Sequence, residues 1–277
     1  MKIAVISSHT PSLFWFRMDM MKEFIRRGCE VIAIGNESEK HWKEIFLSNG
    51  ITYFCAKIER NGTNPLKDIE TYYSIKNILL KERPDKIFAY QAKTVIYGCL
   101  AAHRVGIEDI CSLIAGVGSV FMNGGIKAGI IRTVLKAEYR IGLKYSKKVM
   151  FQNRDDVALF LNNRIIKKDK VVMINGSGVN LEHFVCTELP ENTAFLCTSR
   201  LIRDKGVVEY LEAAKIVKQR FPDVRFMLVG PFDTNPSALK KEELQPYLDS
   251  GIAEYFGEQS DVRPYLEKCS VFVLPSY

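Results

Sequence analysis

Thr198-Ser199-Arg200-Leu201-Ile202-Arg203-Asp204-Lys205-Gly206 is the stretch that decides how this chain is read. The run before it, Ala194 to Cys197, is apolar and short, as in a buried parallel strand. Val208, Leu211, Ala214 and Val217 follow at helical spacing and share one face. The stretch is therefore a strand-to-helix loop at the carboxyl end of a strand, where open α/β sheets bind ligands. Arg200 and Lys205 sit on it beside the free N–H groups of a helix start. Two cations and a helix N-terminus suit a diphosphate. Two solvated surface charges are the plainer reading of the same pair.

The rest of the chain repeats the strand-loop-helix rhythm. Lys2 to Ser7 reads as a strand and His9 to Arg17 as the loop after it. Phe16, Met20, Phe24 and Ile25 then give a helical face that ends at Gly28. The Gly-rich dinucleotide fingerprint is missing from this first turn, which argues against NAD or FAD. Further strands are expected at Cys29–Ile34, Ile51–Cys55, Lys86–Tyr90, Ile110–Ala115, Lys148–Asn153 and Val171–Ile174. In the second half they are expected at Ala194–Cys197, Arg225–Val229, Ile252–Phe256 and Val271–Leu274. The fold class is α/β. The domains expected are 1–183 and 194–277, joined by a linker at 184–193 that carries Pro190.

Composition narrows the function. Net charge is +7, and it is uneven: residues 1–186 hold 28 Lys and Arg against 18 Asp and Glu, whereas residues 187–277 hold 11 against 14. A basic first half implies an anionic partner. Arg132, Lys136, Arg140, Lys144 and Lys148 recur every fourth residue, and apolar residues flank them. That pattern suits either an amphipathic helix on an anionic membrane or a core helix with a solvated face. The 7 Cys show no C-x-x-C and read as buried thiols of a reducing compartment. The 4 His form no local metal motif, so no metal is expected. No signal-like segment or membrane span is evident, which points to a cytoplasmic protein.

The Arg-Leu-x-x-x-Lys-Gly pattern of Arg200 to Gly206 resembles the opening of the second domain in the group 4 family of retaining, nucleotide-sugar-dependent glycosyltransferases. That resemblance implies a GT-B fold of two Rossmann-like domains. It implies that Arg200 and Lys205 hold the donor diphosphate and stabilise charge on the leaving phosphate. Gly116-Val117-Gly118 is similar to the family's glycine pair facing the donor sugar, and Ala115 stands where many members carry a His. Gly206, Gly257, Glu258 and Asp261 fall at donor-side positions, with Gly257 to Val262 beside the nucleotide base. Glu258 and Asp261 read equally as acidic residues at a helix start.

Phe16-Arg17 and Lys93, before Val95-Ile96-Tyr97-Gly98, are similar to a branch that builds polysaccharides on lipid carriers. There Arg17 and Lys93 would meet an acceptor phosphate; a surface arginine and a surface lysine are the alternatives. The resemblance implies a nucleotide-sugar donor, a lipid-linked glycan acceptor, an anionic membrane surface and no nucleic acid, with no cofactor. It also implies a two-glutamate motif after Tyr277, so the chain is expected to be a piece of a longer enzyme and inactive alone. A nucleotide-sugar 2-epimerase and a non-catalytic glycan- or nucleotide-binding protein remain as alternatives.

Overall fold

A computed structural model describes residues 1–60, 64–117, 126–233 and 237–277. The chain divides into two compact units, Met1–Gly178 and Val179–Tyr277.

In the first unit, seven strands are described: β1 (Lys2–Ser7), β2 (Glu30–Gly35), β3 (Ile51–Cys55), β4 (Lys86–Tyr90), β5 (Asp109–Ile114), β6 (Lys148–Phe151) and β7 (Val171–Met173). They pair in the order β3-β2-β1-β4-β5-β6-β7, all parallel. The helices are α1 (Thr10–Arg26), α2 (Glu39–Leu47), α3 (Pro65–Glu82), α4 (Cys99–Arg104), α5 (Ile126–Leu143) and α6 (Arg154–Asn162). Alternate residues of each strand face opposite layers. Ile3, Val5, Val31 and Ala33 pack with Leu13, Met21, Trp42 and Phe46 of α1 and α2. Ala4, Ile6, Ile32 and Ile34 pack with Ile75, Leu79 and Ala102 of α3 and α4 on the other face. Each fully buried Ile or Phe contributes about 1.5–3 kcal/mol.

Strand order reverses between β1 and β4, so the crevice beyond their carboxyl ends is the switch point of this sheet. Ser7 and Tyr90 are register partners there. The chain turns after Tyr90 with Gln91 at φ 73. Thr94 donates its hydroxyl to the Tyr90 and Gln91 carbonyls. Thr94–Gly98 then forms a π-helical turn ahead of α4, a form often found at functional sites.

The second unit holds β8 (Ala194–Thr198), β9 (Arg225–Val229), β10 (Glu254–Tyr255) and β11 (Val271–Phe272), parallel in the order β10-β9-β8-β11. Its helices are α7 (Val207–Lys218), α8 (Lys241–Asp249) and α9 (Arg263–Leu266). Val207, Tyr210, Leu211 and Ala214 bury the inner face of α7 against Phe226, Leu228 and Leu244. Its switch point lies between β8 and β11.

Four expectations need correction. The stretch His9 to Arg17, expected as a loop, is helical from Thr10 because α1 begins there. Cys55 and Cys186 are exposed rather than buried thiols. The face of α1 that enters the core carries Leu13, Arg17, Met18 and Met21, while Phe16 is 62% exposed. Leu13, Arg17 and Met21 follow one helical stripe, which places the neighbouring Phe16 outside it. The helix carrying the basic stripe ends at Leu143, and Lys148 belongs to β6.

Candidate active site

The loop after β8 has the geometry its sequence suggests. Arg203–Lys205 makes a 3-10 turn, and Gly206 at φ 66 opens α7. That φ suits glycine, and a second constraint acts at the same residue. A Cβ on Gly206 would lie 2.1 Å from the Pro275 carbonyl oxygen, so the chain after β11 presses directly on the loop after β8. Gly230, at φ 143 after β9, lies equally close to Ser199. Its N–H donates to the Gly257 carbonyl at 2.8 Å. The loops after β8, β9 and β10 thus meet at one sheet edge, carrying Arg200, Gly206 and Gly257.

Charge is distributed unequally within that edge. Arg200 is exposed and pairs with Asp233 at 2.8 Å. Arg203 pairs with Glu243. Lys205 is half-buried, and its ammonium has no partner among the described residues. The edge therefore offers one cation already balanced by a carboxylate and one that is not. Asp233 was missed by sequence reasoning, because nothing in Gly230-Pro231-Phe232-Asp233 signals a pairing 33 residues back.

Glu258 is exposed just past Gly257. Asp261 takes the helix-start reading. It accepts from the Arg263 N–H at 3.0 Å and from the Arg263 guanidinium at 2.9 and 2.7 Å. Arg263 in turn donates to the His183 carbonyl at 3.3 Å. The carboxylate of Asp261 is thereby committed to Arg263, whose hydrogen bonds hold its pKa down to about 2.

In the first unit Gly116 follows β5 with φ 148 and open space where a Cβ would lie. Gly118 lies outside the described residues. The expected acceptor residues behave differently from one another. Lys93 is not a free cation at a helix start: its ammonium pairs with Asp68 of α3, and both side chains are largely buried, at 14% and 11% exposed. Arg17 is not a surface arginine: it is 6% exposed, and burial pushes its pKa below the usual guanidinium value. Its guanidinium lies 4.8 Å from the Tyr90 ring centre, and its Nη1 donates to the Phe16 carbonyl at 2.8 Å. Sequence reasoning also missed the polar cluster beside it, in which Ser7, Ser8, Ser12, Tyr90 and Gln91 join through side-chain hydrogen bonds.

The basic stripe is mostly turned to structural use. Lys136 donates to the Asn163 side chain, and Arg140 donates to the Asn163 and Arg164 carbonyls just past α6. Cations there satisfy the last carbonyls of a helix. The exposed face of α5 instead shows Ile130, Ile131, Val134 and Ile141. Among the described residues, no helix is long and apolar enough to cross a membrane.

Comparison with known proteins agrees with this architecture. Residues 2–153 match the family described as glycosyl transferase 4-like, and residues 192–277 match glycosyl transferases group 1. The chain is 29% identical over 291 aligned positions to the N,N'-diacetylbacillosaminyl-diphospho-undecaprenol alpha-1,3-N-acetylgalactosaminyltransferase of Campylobacter jejuni, covering 100% of this chain and 75% of that protein. It is 22% identical over 245 positions to the Escherichia coli UDP-Gal:alpha-D-GlcNAc-diphosphoundecaprenol alpha-1,3-galactosyltransferase, covering 83% of this chain and 62% of that one. A solved glycosyltransferase from Rickettsia africae superposes with a TM-score of 0.73 at 20% identity, over 99% of this chain and 73% of the other. The chain belongs to the glycosyl transferase 4-like family, and its two Rossmann-like units are those of a GT-B glycosyltransferase.

Proposed function

We propose that the protein transfers a hexosyl or N-acetylhexosaminyl group, with retention, from a UDP-sugar to a glycan carried on a polyprenyl diphosphate, in polysaccharide assembly at an anionic membrane surface. The observation that carries this reading is the Lys205 ammonium, without a partner among the described residues, at the switch point of the second sheet, with Arg200 on the same loop and the N–H groups of α7 behind it. Charge grows on the leaving phosphate as the glycosidic bond to it breaks. Fixed cations and helix N–H groups stabilise that charge without reorganising. The leaving phosphate oxygen takes the proton of the attacking hydroxyl on the same face of the sugar, which gives retention without a protein nucleophile. Both curated relatives act on diphospho-undecaprenol substrates, and that likeness supports the acceptor class.

Calorimetric titration with UDP tests the donor clamp. A charge-assisted hydrogen bond contributes about 1.5–3 kcal/mol, so Lys205→Ala should weaken UDP binding roughly tenfold or more. Arg203→Ala should change it little, because Glu243 already holds that guanidinium. Greater sensitivity at Arg203 than at Lys205 would refute the assignment. Product analysis with a prenyl-diphosphate glycan then separates a new glycosidic bond from isomerised donor.

A further inference from the structure

The turn that leaves the switch point of the first sheet is an unusual one, and α5 is shaped to fit it. After Tyr90 the chain passes through Gln91 at φ 73, a conformation costly for a residue with a side chain. Thr94–Gly98 then winds as a π-helical turn ahead of α4. Such turns are rare and concentrate at functional sites. Costly backbone of this kind persists only where its surroundings enforce it.

α5 supplies that enforcement at two points. Gly142 is buried and has no left-handed φ, so its backbone does not call for glycine. Space does. A Cβ on Gly142 would lie 2.7 Å from the Ile96 Cα, 2.8 Å from the Ile96 carbonyl oxygen and 3.1 Å from that of Val95. Those atoms are the backbone of the π-helical turn and cannot swing aside as the end of a side chain could. Glycine weakens a helix interior, so α5 loses some stability of its own to make this approach. One helical turn earlier, Glu138 accepts the Tyr97 hydroxyl at 2.8 Å. Burial, and then this carboxylate, push the Tyr97 pKa up, which keeps the phenol protonated as a donor. Val95 and Ile96 complete the seam in one core with Tyr139 and Leu143 of α5.

The other end of the turn carries the consequence. Thr94 donates back to the Tyr90 and Gln91 carbonyls, which ties the Gln91 backbone to the turn. The Gln91 side chain accepts from the Ser7 and Ser8 hydroxyls at 2.9 and 2.8 Å and donates to Ser12 at 3.3 Å. A shift of the π-helical turn therefore reaches the hydroxyls beside the carboxyl ends of β1 and β4 through one residue.

We propose that Gly142, Glu138 and Tyr97 are positioning residues, which hold Thr94–Gly98 in its π-helical form and through it hold Gln91 in the conformation that orders the Ser7, Ser8 and Ser12 hydroxyls. α5 thereby shapes the crevice of the first sheet from across the turn. The brace rests on these contacts alone; that the crevice receives the glycan acceptor rests on the function proposed above.

The test reads the backbone and side-chain amide resonances of Gln91 in the full chain, isotope-labelled at glutamine nitrogen, with no ligand present. Gly142→Ala and Tyr97→Phe should each move both signals. Glu138→Gln keeps an acceptor for the Tyr97 hydroxyl and should leave them in place, whereas Glu138→Ala should reproduce Tyr97→Phe. Phe160→Leu loosens the same core from α6 and is the control: it should lower the melting temperature without moving Gln91. Gln91 signals that stay in place in Gly142→Ala and Tyr97→Phe, or that move as far in Phe160→Leu, would overturn the proposal and leave α5 as ordinary packing. Should Gly142→Ala fail to fold, Tyr97→Phe decides alone, since it removes one hydroxyl and no packing volume. In a transfer assay with a prenyl-diphosphate glycan, Tyr97→Phe should raise the acceptor KM roughly three- to tenfold, as for one lost hydrogen bond, and leave the UDP-sugar KM unchanged. A rise in both KM values, or in neither, would overturn the link to the acceptor. Absence of transfer by the unaltered chain would count against the proposed function alone, because the Gln91 signals report the brace without any substrate.

Discussion

Gly206 and Pro275 are packed backbone to backbone: no atom larger than hydrogen fits on the Gly206 Cα without meeting the Pro275 carbonyl. The contact joins the loop after β8 to the segment after β11 across the switch point, so it sets the shape of the crevice that carries Lys205. Gly206→Ala should therefore cost more than backbone strain alone. Gly251 provides the control, since it has the same φ of 66 with open space around its Cα. Alanine there should cost about 1–3 kcal/mol from strain. Gly206→Ala should exceed Gly251→Ala in denaturant unfolding of the second unit, and should lower UDP affinity, which Gly251→Ala should not. Equal losses at the two positions would mean that the Pro275 contact yields freely.

Lys93 and Asp68 form a largely buried pair between the turn after β4 and α3. Removing one partner leaves the other charge buried without compensation, at a cost of about 3–5 kcal/mol. Lys93→Met should therefore destabilise the first unit by that order. Lys93→Met combined with Asp68→Asn should recover much of the loss. Denaturant midpoints with unchanged slopes would show this. A Lys93→Met protein of full stability but poor acceptor binding would restore the reading of Lys93 as a ligand residue.

These contacts show what local pattern can carry and what it cannot. The strand, loop, cations and helix from Ala194 to Lys218 lie next to one another in sequence, and so do the parallel strands with their helices. Periodicity and punctuation are enough to read them. Lys93 takes its meaning from Asp68, 25 residues away, and Lys136 from Asn163, 27 residues away. No neighbouring residue announces either pairing. At Phe16-Arg17 the pattern misleads, because hydrophobicity argues for the aromatic inside and the charge outside. The structure reverses them, with Arg17 6% and Phe16 62% exposed. Asp233 was illegible for the same reason as Asp68.

The membrane reading shifts from charge to apolar surface. With Lys136 and Arg140 holding the end of α6, their replacement by Glu would damage the fold and so cannot isolate binding. Ile130, Val134 and Ile141 are exposed along one side of α5, with Lys144 just past its end. Burying an exposed Ile or Val in an interface contributes up to about 1.5–3 kcal/mol, and a basic residue near an anionic surface about 1 kcal/mol. Serine at all three positions should lower sedimentation with phosphatidylglycerol vesicles by at least tenfold, with unchanged unfolding. Lys144→Glu should have a smaller effect that added salt removes. Equal sedimentation of the triple variant and the parent would eliminate α5 as the membrane face.

Asp261 makes a prediction about pH. Its carboxylate accepts three hydrogen bonds from Arg263, and these hold its pKa at about 2, below the ordinary value near 3.8. A depressed folded-state pKa means that the stabilisation is complete above about pH 4 and is lost as pH falls through 2. Arg263 also reaches the His183 carbonyl and ring, so the loop after β10 is tied to the start of the second unit through one carboxylate. Protonating Asp261 should release that tether before the unit unfolds. The Arg263 Nε–H resonance should titrate with a midpoint near 2, and Asp261→Asn should fix it at its acid position at every pH. UDP affinity at neutral pH should be nearly unaffected by Asp261→Asn, because the carboxylate is held by Arg263 rather than offered to the nucleotide. A midpoint near 3.9, the value for a free aspartate, would mean the carboxylate is not held by Arg263 in solution. A large loss of UDP affinity in Asp261→Asn would return the residue to the donor site.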